Sequence, residues 1–226
     1  MFQEVPLYVI VVAGGKGSRM GTDVPKQFIP IAGKPILMRT LEQFYKVVPS
    51  ASLIVVLPSF QVDYWKNLVN QYNFQVSHKI ALGGQERFHS VQNGLDLIQN
   101  DGLVAIHDGV RPFVSEEVII KSFEDAFKFG NAITSVLPKD SIRVINNDIS
   151  QSVDRKMYRL IQTPQTFKVN LIKKAFQQPY QPLFTDDASV LEAMGETIHL
   201  IEGNYENIKI TTKEDLKIAE VFAENK

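Results

Sequence analysis

Residues 7–13 form an unbroken apolar run, Leu7-Tyr8-Val9-Ile10-Val11-Val12-Ala13. A strand of this kind is buried on both faces, so other elements must cover it on both sides. Strand-like runs recur at 52–57, 103–107 and 131–137, and a short strand is read at 75–80. Helix-like segments separate them. Residues 35–45 place Leu37, Leu41 and Phe44 on one face, and 60–71 follow. Residues 87–98 space Val91, Leu95 and Ile98 for burial, and a further helix runs from its N-cap Ser115 to about Phe129. This βαβα order predicts an α/β fold: a doubly wound, mostly parallel sheet with helices on both faces. In such sheets ligands bind beyond the carboxyl ends of the strands.

The first apolar run opens into Gly14-Gly15-Lys16-Gly17-Ser18-Arg19-Met20, then Pro25-Lys26-Gln27. Glycine lets the backbone approach a ligand closely and lets successive N–H groups point inward. Arg19 and Lys26 are placed to neutralise phosphate charge. Two glycine loops fit poorly. A P-loop needs Lys and then Ser or Thr after its last Gly, and Gly17 is followed by Ser18-Arg19. The dinucleotide fingerprint starting at Gly15 needs Gly where Met20 stands. For the loop alone, a plain βα turn that happens to hold glycines is the competing reading.

The pattern changes after Pro138. Residues 142–145 and 149–153 flank Asn146-Asn147-Asp148, which predicts a β-hairpin. Residues 141–155 hold too few large apolar side chains for a core of their own, and a lone hairpin is marginal in water. The hairpin therefore leans on its own domain or on a second subunit. The chain is read as one domain over residues 1–226, with residues 138–160 as a protruding β-hairpin arm. Thr163-Pro164-Gln165 opens the return to the main domain. Helices at 168–176 and 188–194 follow, the second capped by Thr185-Asp186-Asp187, then short strands at 197–201 and 207–210 and a last helix capped by Thr211 or Thr212.

Composition excludes several classes. The 226 residues include no cysteine, which removes disulfides, thiol catalysis and thiolate metal sites. With 24 Lys and Arg against 25 Asp and Glu, the net charge of −1 offers no overall basic field for nucleic acid. No apolar run is long enough for a membrane span, and no signal peptide is seen, so the cytoplasm is the expected compartment.

Beyond the glycine loop, three stretches carry chemistry. Gly83-Gly84 before a helix leaves backbone N–H groups for a ligand or for ordinary capping, with Ser90 one turn on. His107-Asp108 ends a strand; Asp108 is a candidate for Mg²⁺, directly or through water, while His107 reads as a packed residue. Late cations include Lys139, Arg143, Arg155, Arg159 and Lys209. Lys209 differs from the rest, because Ile208 and Ile210 beside it read as buried, and a cation there needs a partner that an anionic ligand would supply.

Together these blocks resemble a known family. Ala13-Gly14-Gly15-x-Gly17-x-Arg19-Met20 with Pro25-Lys26-Gln27 looks like the opening of nucleotidyltransferases of Rossmann-like fold. Gly83-Gly84-x-x-Arg87-x-x-Ser90-Val91, His107-Asp108-x-x-Arg111-Pro112 and Val153-Asp154-Arg155 narrow the match, as do Thr163-Pro164-Gln165, Thr185-Asp186-Asp187-Ala188-Ser189 and Asn207-Ile208-Lys209-Ile210-Thr211. In this order they resemble the 2-C-methyl-D-erythritol 4-phosphate cytidylyltransferases, which use CTP in non-mevalonate isoprenoid synthesis. The resemblance implies Arg19 and Lys26 at the α-phosphate, and Arg155 and Lys209 positioning the substrate phosphate, as the catalytic set. It implies nucleotide contacts from Ala13, Gly14, Gly15, Gly84, Gln85 and Ser90. It implies Asp108 near Mg²⁺ and the substrate hydroxyls, with Arg111, Ser141, Thr163 and Thr185 lining the same pocket. It implies a homodimer in which Arg155 acts in trans. Departures are Ser141 where many members have Thr, Gln85 in place of an acid, and Gly109-Val110 in place of an Ala pair. Val110 is also similar to the sister ribitol-5-phosphate cytidylyltransferases, whereas Asp154 before Arg155 favours the isoprenoid enzyme. A CTP-sensing protein without turnover is the alternative of another class.

Overall fold

The computed structural model describes residues 2–14 and 24–224. In chain order the elements are β1 (Leu7–Val12), a 3-10 turn (Lys26–Phe28), β2 (Pro30–Ile31), β3 (Lys34–Pro35), α1 (Ile36–Val47), β4 (Ser52–Leu57), α2 (Val62–Gln71), β5 (Lys79–Leu82), α3 (Arg87–Asp96) and β6 (Leu103–Asp108). There follow α4 (Glu116–Phe129), β7 (Asn131–Val136), β8 (Ile142–Asn146), β9 (Ile149–Val153), β10 (Leu160–Lys168), α5 (Val169–Ala175), α6 (Asp187–Glu192), β11 (Leu200–Glu202) and α7 (Lys213–Glu224).

Seven strands form one sheet in the order β11-β7-β10-β6-β1-β4-β5. All neighbours are parallel except β10, which runs antiparallel to both β6 and β7. Successive residues of β1 point to opposite faces. Val9 and Val11 join Leu37, Leu41, Phe44 and Phe123 in one core layer, while Ile10 joins Val91, Leu95 and Phe167 in the other. Both faces of the first apolar run are thus covered, which is the doubly wound α/β arrangement expected from it. Each such buried aliphatic side chain contributes roughly 1.5–3 kcal/mol relative to exposure.

β2 and β3 are additional short strands and β11 covers 200–202 rather than 197–201; three further differences are larger. β5 begins at Lys79, not at residue 75; the residues before it are coil, where His78 accepts the Trp65 indole N–H at Nε2 (2.9 Å). In the sequence, Thr163-Pro164-Gln165 marks only a return segment where β10 stands. β10 is instead a nine-residue central strand, its register against β7 shifting between Ile161 and Gln165. The span 207–210 is coil, not strand, held by side-chain bonds described below.

The hairpin of β8 and β9 pairs only with itself, Asn146 opposite Ile149. Its two-residue turn has positive φ at Asn147 (47°) and Asp148 (65°), as the twist-matched hairpin turn requires. Ile145 and Ile149 are 70% and 73% exposed. Among the described residues, no helix is long and apolar enough to cross a membrane.

Candidate active site

β1 and β6 lie side by side with Val12 opposite Asp108, so the ends of both strands open onto one edge of the sheet. A cavity of about 280 Å³ lies there, lined among others by Ala13, Gly14, Lys26, Gly84, Gln85 and Ser90. Gly15 and Arg19 lie outside the described residues. The backbone of Ala13 is spent inside the protein: its N–H donates to the Val56 carbonyl (2.9 Å) and its carbonyl accepts from Gln27 Nε2 (2.8 Å). Gln27 Nε2 also donates to Gln61 Oε1 (2.5 Å), and Phe28 stacks on Trp65 at 5.9 Å. Two buried residues therefore hold the turn from which Lys26 faces the cavity.

On the far wall, the Gly84 N–H donates to Ser90 Oγ (3.0 Å), and Ser90 donates to the Glu86 carbonyl (3.1 Å). A Cβ on Gly84 would overlap the Cβ of His89, so the close turn requires glycine. Ser90 shapes this loop directly and lines the cavity.

Asp108 is the centre of the charge arrangement. Its Oδ2 accepts from Arg111 Nε and from Lys209 Nζ, both at 3.1 Å. Burial alone would raise this carboxyl, but the charges of Arg87, Lys209 and Arg111 more than offset it and hold it well below the usual carboxylate range. Lys209 thus has a protein partner, where the sequence suggested a ligand would supply one. Arg111 also donates to the Asn207 carbonyl (2.8 Å). Asn207, fully buried, donates from Nδ2 to the Thr163 carbonyl (2.8 Å) and to Gln162 Oε1 (3.1 Å). These bonds hold the coil that carries Lys209 without any strand pairing.

His107 is wholly buried beside Asp108, edge-on to Phe44. Its Nε2–H donates to the Arg111 carbonyl (2.9 Å), so Nδ1 accepts from the Thr163 hydroxyl (3.1 Å), which itself accepts the Asp108 N–H (3.0 Å). That order needs a neutral imidazole, and burial pushes His107 down to about 4 from 6.5. Below pH 6.5 the unfolded chain takes up a proton that the folded chain refuses, so stability falls as pH drops toward 4 and returns above 6.5. At pH 5 this lowers stability by about 2 kcal/mol. His78, also depressed by burial, acts in the same direction. Urea unfolding of the parent and of His107→Gln at pH 7 and pH 5 is expected to show a flatter pH slope in the variant; equal slopes would assign the proton uptake elsewhere.

A second cavity of about 280 Å³ adjoins the first, with Arg111, Gln162, Thr163, Thr185 and Asp186 in its wall. Asp186 caps α6 by accepting the Ser189 N–H (2.9 Å), and Gln165 braces the same end by donating to Asp186 Oδ2 and accepting the Ala188 N–H, both at 2.8 Å. Arg87, Asp108 and Lys209 line both cavities. Ser141 and Arg155 line neither: both belong to the exposed arm segment, where Arg155 Nη1 donates to the Lys139 carbonyl. Gln27, Asn207 and the Arg87–Asp187 pair are site-building residues that the motif reading did not assign a role. All four stand inside the quoted blocks, so a polar residue there without an assigned ligand contact was the available signal.

The described residues contain no group of three His, Asp or Glu that could hold a metal ion, and no cysteine is present. Asp108 is an ionised carboxylate with its Oδ2 engaged by two cations. That suits Mg²⁺ held mainly by substrate phosphates and water, since this ion takes only one or two carboxylates at such sites.

Residues 7–225 match the family described as 2-C-methyl-D-erythritol 4-phosphate cytidylyltransferase (IspD). A protein of that name from Phocaeicola vulgatus is 54% identical over 215 residues, covering 95% of this chain and 98% of the relative. Another from Bacteroides thetaiotaomicron is also 54% identical, covering 93% and 96%. The crystal structure of 4-diphosphocytidyl-2C-methyl-D-erythritol synthase from Anaerococcus prevotii superposes with a TM-score of 0.84 at 29% identity, covering 99% of this chain and 98% of that one.

Proposed function

The chain belongs to the 2-C-methyl-D-erythritol 4-phosphate cytidylyltransferase family, and on that premise we propose how its two adjoining cavities divide the work. The enzyme transfers a cytidylyl group from CTP to 2-C-methyl-D-erythritol 4-phosphate and releases pyrophosphate. The cavity beside Gly14, Lys26 and Gly84 takes CTP, and the one beside Arg111, Thr163 and Thr185 takes the polyol phosphate. The observation that carries this division is the Lys209–Asp108–Arg111 cluster standing where the two cavities meet.

An oxygen of the acceptor phosphate attacks the α-phosphorus of CTP. The bond from that phosphorus to the bridging oxygen breaks, and its electron pair leaves with pyrophosphate. Both reactants are anions, so the first task is to cancel their repulsion, and Lys26, Arg19 and Lys209 supply the charge. No general base is required, because a phosphomonoester with a second pKa near 6 is already ionised at neutral pH. Asp108 orients Lys209 and Arg111. Asp108 is the residue that would hold Mg²⁺, the proposed cofactor, which would supply further charge neutralisation.

The arm supports a homodimer as the working form. Ile145 and Ile149, on a hairpin that pairs with nothing else in its own chain, are joined by Met157, 82% exposed, and by Leu160, 52% exposed, on the stretch that leads back to the main sheet. Arg155 lies outside its own chain's cavities, which supports its acting on the acceptor phosphate of the partner subunit. When Arg155→Ala and Lys26→Ala subunits are unfolded and refolded together, mixed dimers should recover roughly a quarter of parental activity, since half the dimers are mixed and each holds one intact site. Activity no higher than either variant alone would remove the trans role. The cytoplasm is the proposed compartment.

The test of function is product identification by mass spectrometry after incubation with CTP and, separately, 2-C-methyl-D-erythritol 4-phosphate or ribitol 5-phosphate. The cytidylylated methylerythritol product is expected. Turnover only with ribitol phosphate would overturn the acceptor, and no pyrophosphate with either would overturn catalysis.

A further inference from the structure

Three residues line both cavities: Arg87, Asp108 and Lys209. Cytidylyl transfer requires the attacking oxygen and the α-phosphorus to meet, so residues common to both cavities flank the reaction point. Asp108 and Lys209 have roles above; Arg87 does not. Its guanidinium forms a two-bond fork with Asp187, Nη1 to Oδ1 at 2.6 Å and Nη2 to Oδ2 at 2.7 Å. Asp187 is fully buried, whereas the Arg87 side chain keeps 28% of its surface exposed.

We propose that Arg87 is a further catalytic cation of this reaction, contacting the phosphoryl group as it passes between the cavities, while Asp187 fixes the plane of the guanidinium. The proposal rests on the cytidylyltransferase reading above. A guanidinium has five N–H donors, and Asp187 occupies two, leaving three for a ligand. The planar fork matches phosphate oxygens, and a cation locked by a buried carboxylate needs no reorganisation during the step. Arg87 exchanges no proton: it stabilises charge on the phosphoryl oxygens while the acceptor oxygen bonds to phosphorus and pyrophosphate leaves. The pair also ties α3 to α6. A tie alone would not require its cation to be exposed in both cavities.

Removing Arg87 alone would strand a buried carboxylate. The main test is therefore the double variant Arg87→Gln with Asp187→Asn, which keeps a neutral hydrogen-bonded pair. Steady-state kinetics with CTP and methylerythritol phosphate are run beside thermal melting, and calorimetry measures binding of inorganic pyrophosphate with magnesium. A drop in kcat/KM of about tenfold to a hundredfold, with weaker pyrophosphate binding and an intact cooperative melt, is expected. Arg87→Lys should fall between parent and double variant. A folded double variant within about threefold of parental kcat/KM, with unchanged pyrophosphate affinity, would reduce Arg87 to a structural tie. If the double variant does not fold, Arg87→Lys decides: parental kinetics and pyrophosphate affinity overturn the proposal, and weakening of both supports it. Pyrophosphate binding needs no acceptor, so this result stays readable even if the parent fails to use methylerythritol phosphate, which would count against the acceptor reading alone.

Discussion

Lys26→Ala is expected to lower kcat by on the order of 10²–10³ while leaving the melting temperature within a few degrees of the parent. The two halves of that statement come from different atoms of one turn. Lys26 faces the cavity beyond β1, while the next two residues, Gln27 and Phe28, are 1% and 2% exposed. Gln27 ties the turn to the end of β1 and to Gln61, and Phe28 stacks on Trp65. Truncating the lysine beyond Cβ therefore spares the anchoring contacts and removes a positive charge where CTP brings several negative ones. Loss of charge stabilisation in the transition state shows in kcat more than in binding. Steady-state kinetics with saturating CTP and acceptor, beside a thermal melt, check both halves. Turnover near the parental rate would remove Lys26 from the mechanism.

Asp108→Asn should cost activity on the same order, and stability with it. The carboxylate sits between Lys209 and Arg111, with Arg87 close enough to lower its pKa. Arg111 is 11% exposed, so without a carboxylate it becomes a poorly compensated buried cation. Breaking a buried pair in this way costs about 3 kcal/mol. Lys209 also loses the partner that fixes its ammonium group, so the KM for the acceptor should rise together with the fall in kcat. Because the folded-state pKa of Asp108 is depressed, its contribution to stability persists above the unfolded pKa of 3.8 and is lost only as pH falls below it. The parent's rate should therefore show no limb from this group between pH 5 and 8. Chemical denaturation and kinetics on Asp108→Asn are the measurements. Normal acceptor KM and kcat in a folded variant would mean that Lys209 and Arg111 hold their places unaided.

The fold was legible where burial is apolar. The double-faced core around β1, the N-cap at Ser115 (Val118 N–H to Oγ, 3.2 Å) and the hairpin turn at Asn147-Asp148 follow from residue types at fixed offsets. β10 was hidden because most of its buried positions are polar. Gln162, Thr163, Gln165 and Thr166 are all at most 7% exposed and are satisfied by side-chain bonds, so a central strand reads as a loop. The coil at 207–210 failed for the opposite reason: Ile208 and Ile210 suggest alternation, yet Asn207 spends its hydrogen bonds on Thr163 and Gln162. In the site, single residues at strand ends could be picked out, and the resemblance extended that set. Pairings across the chain could not. Arg87 and Asp187 stand 100 positions apart, and no spacing rule joins them.

The reversed strand β10 has a consequence for how such a chain can change. On the proposed division, most of the wall beside CTP comes from loops after β1, β5 and β6. Most of the wall facing the acceptor comes from Ile161 to Thr163, Gln165, Thr185 and Asp186, on and after β10. Donor and acceptor would then be recognised largely by different stretches of sequence that meet at three residues. Substitutions within residues 160–186 would then retune which polyol phosphate is accepted while leaving the lining of the nucleotide cavity unchanged, so a graft of that segment between related chains should carry acceptor preference with it.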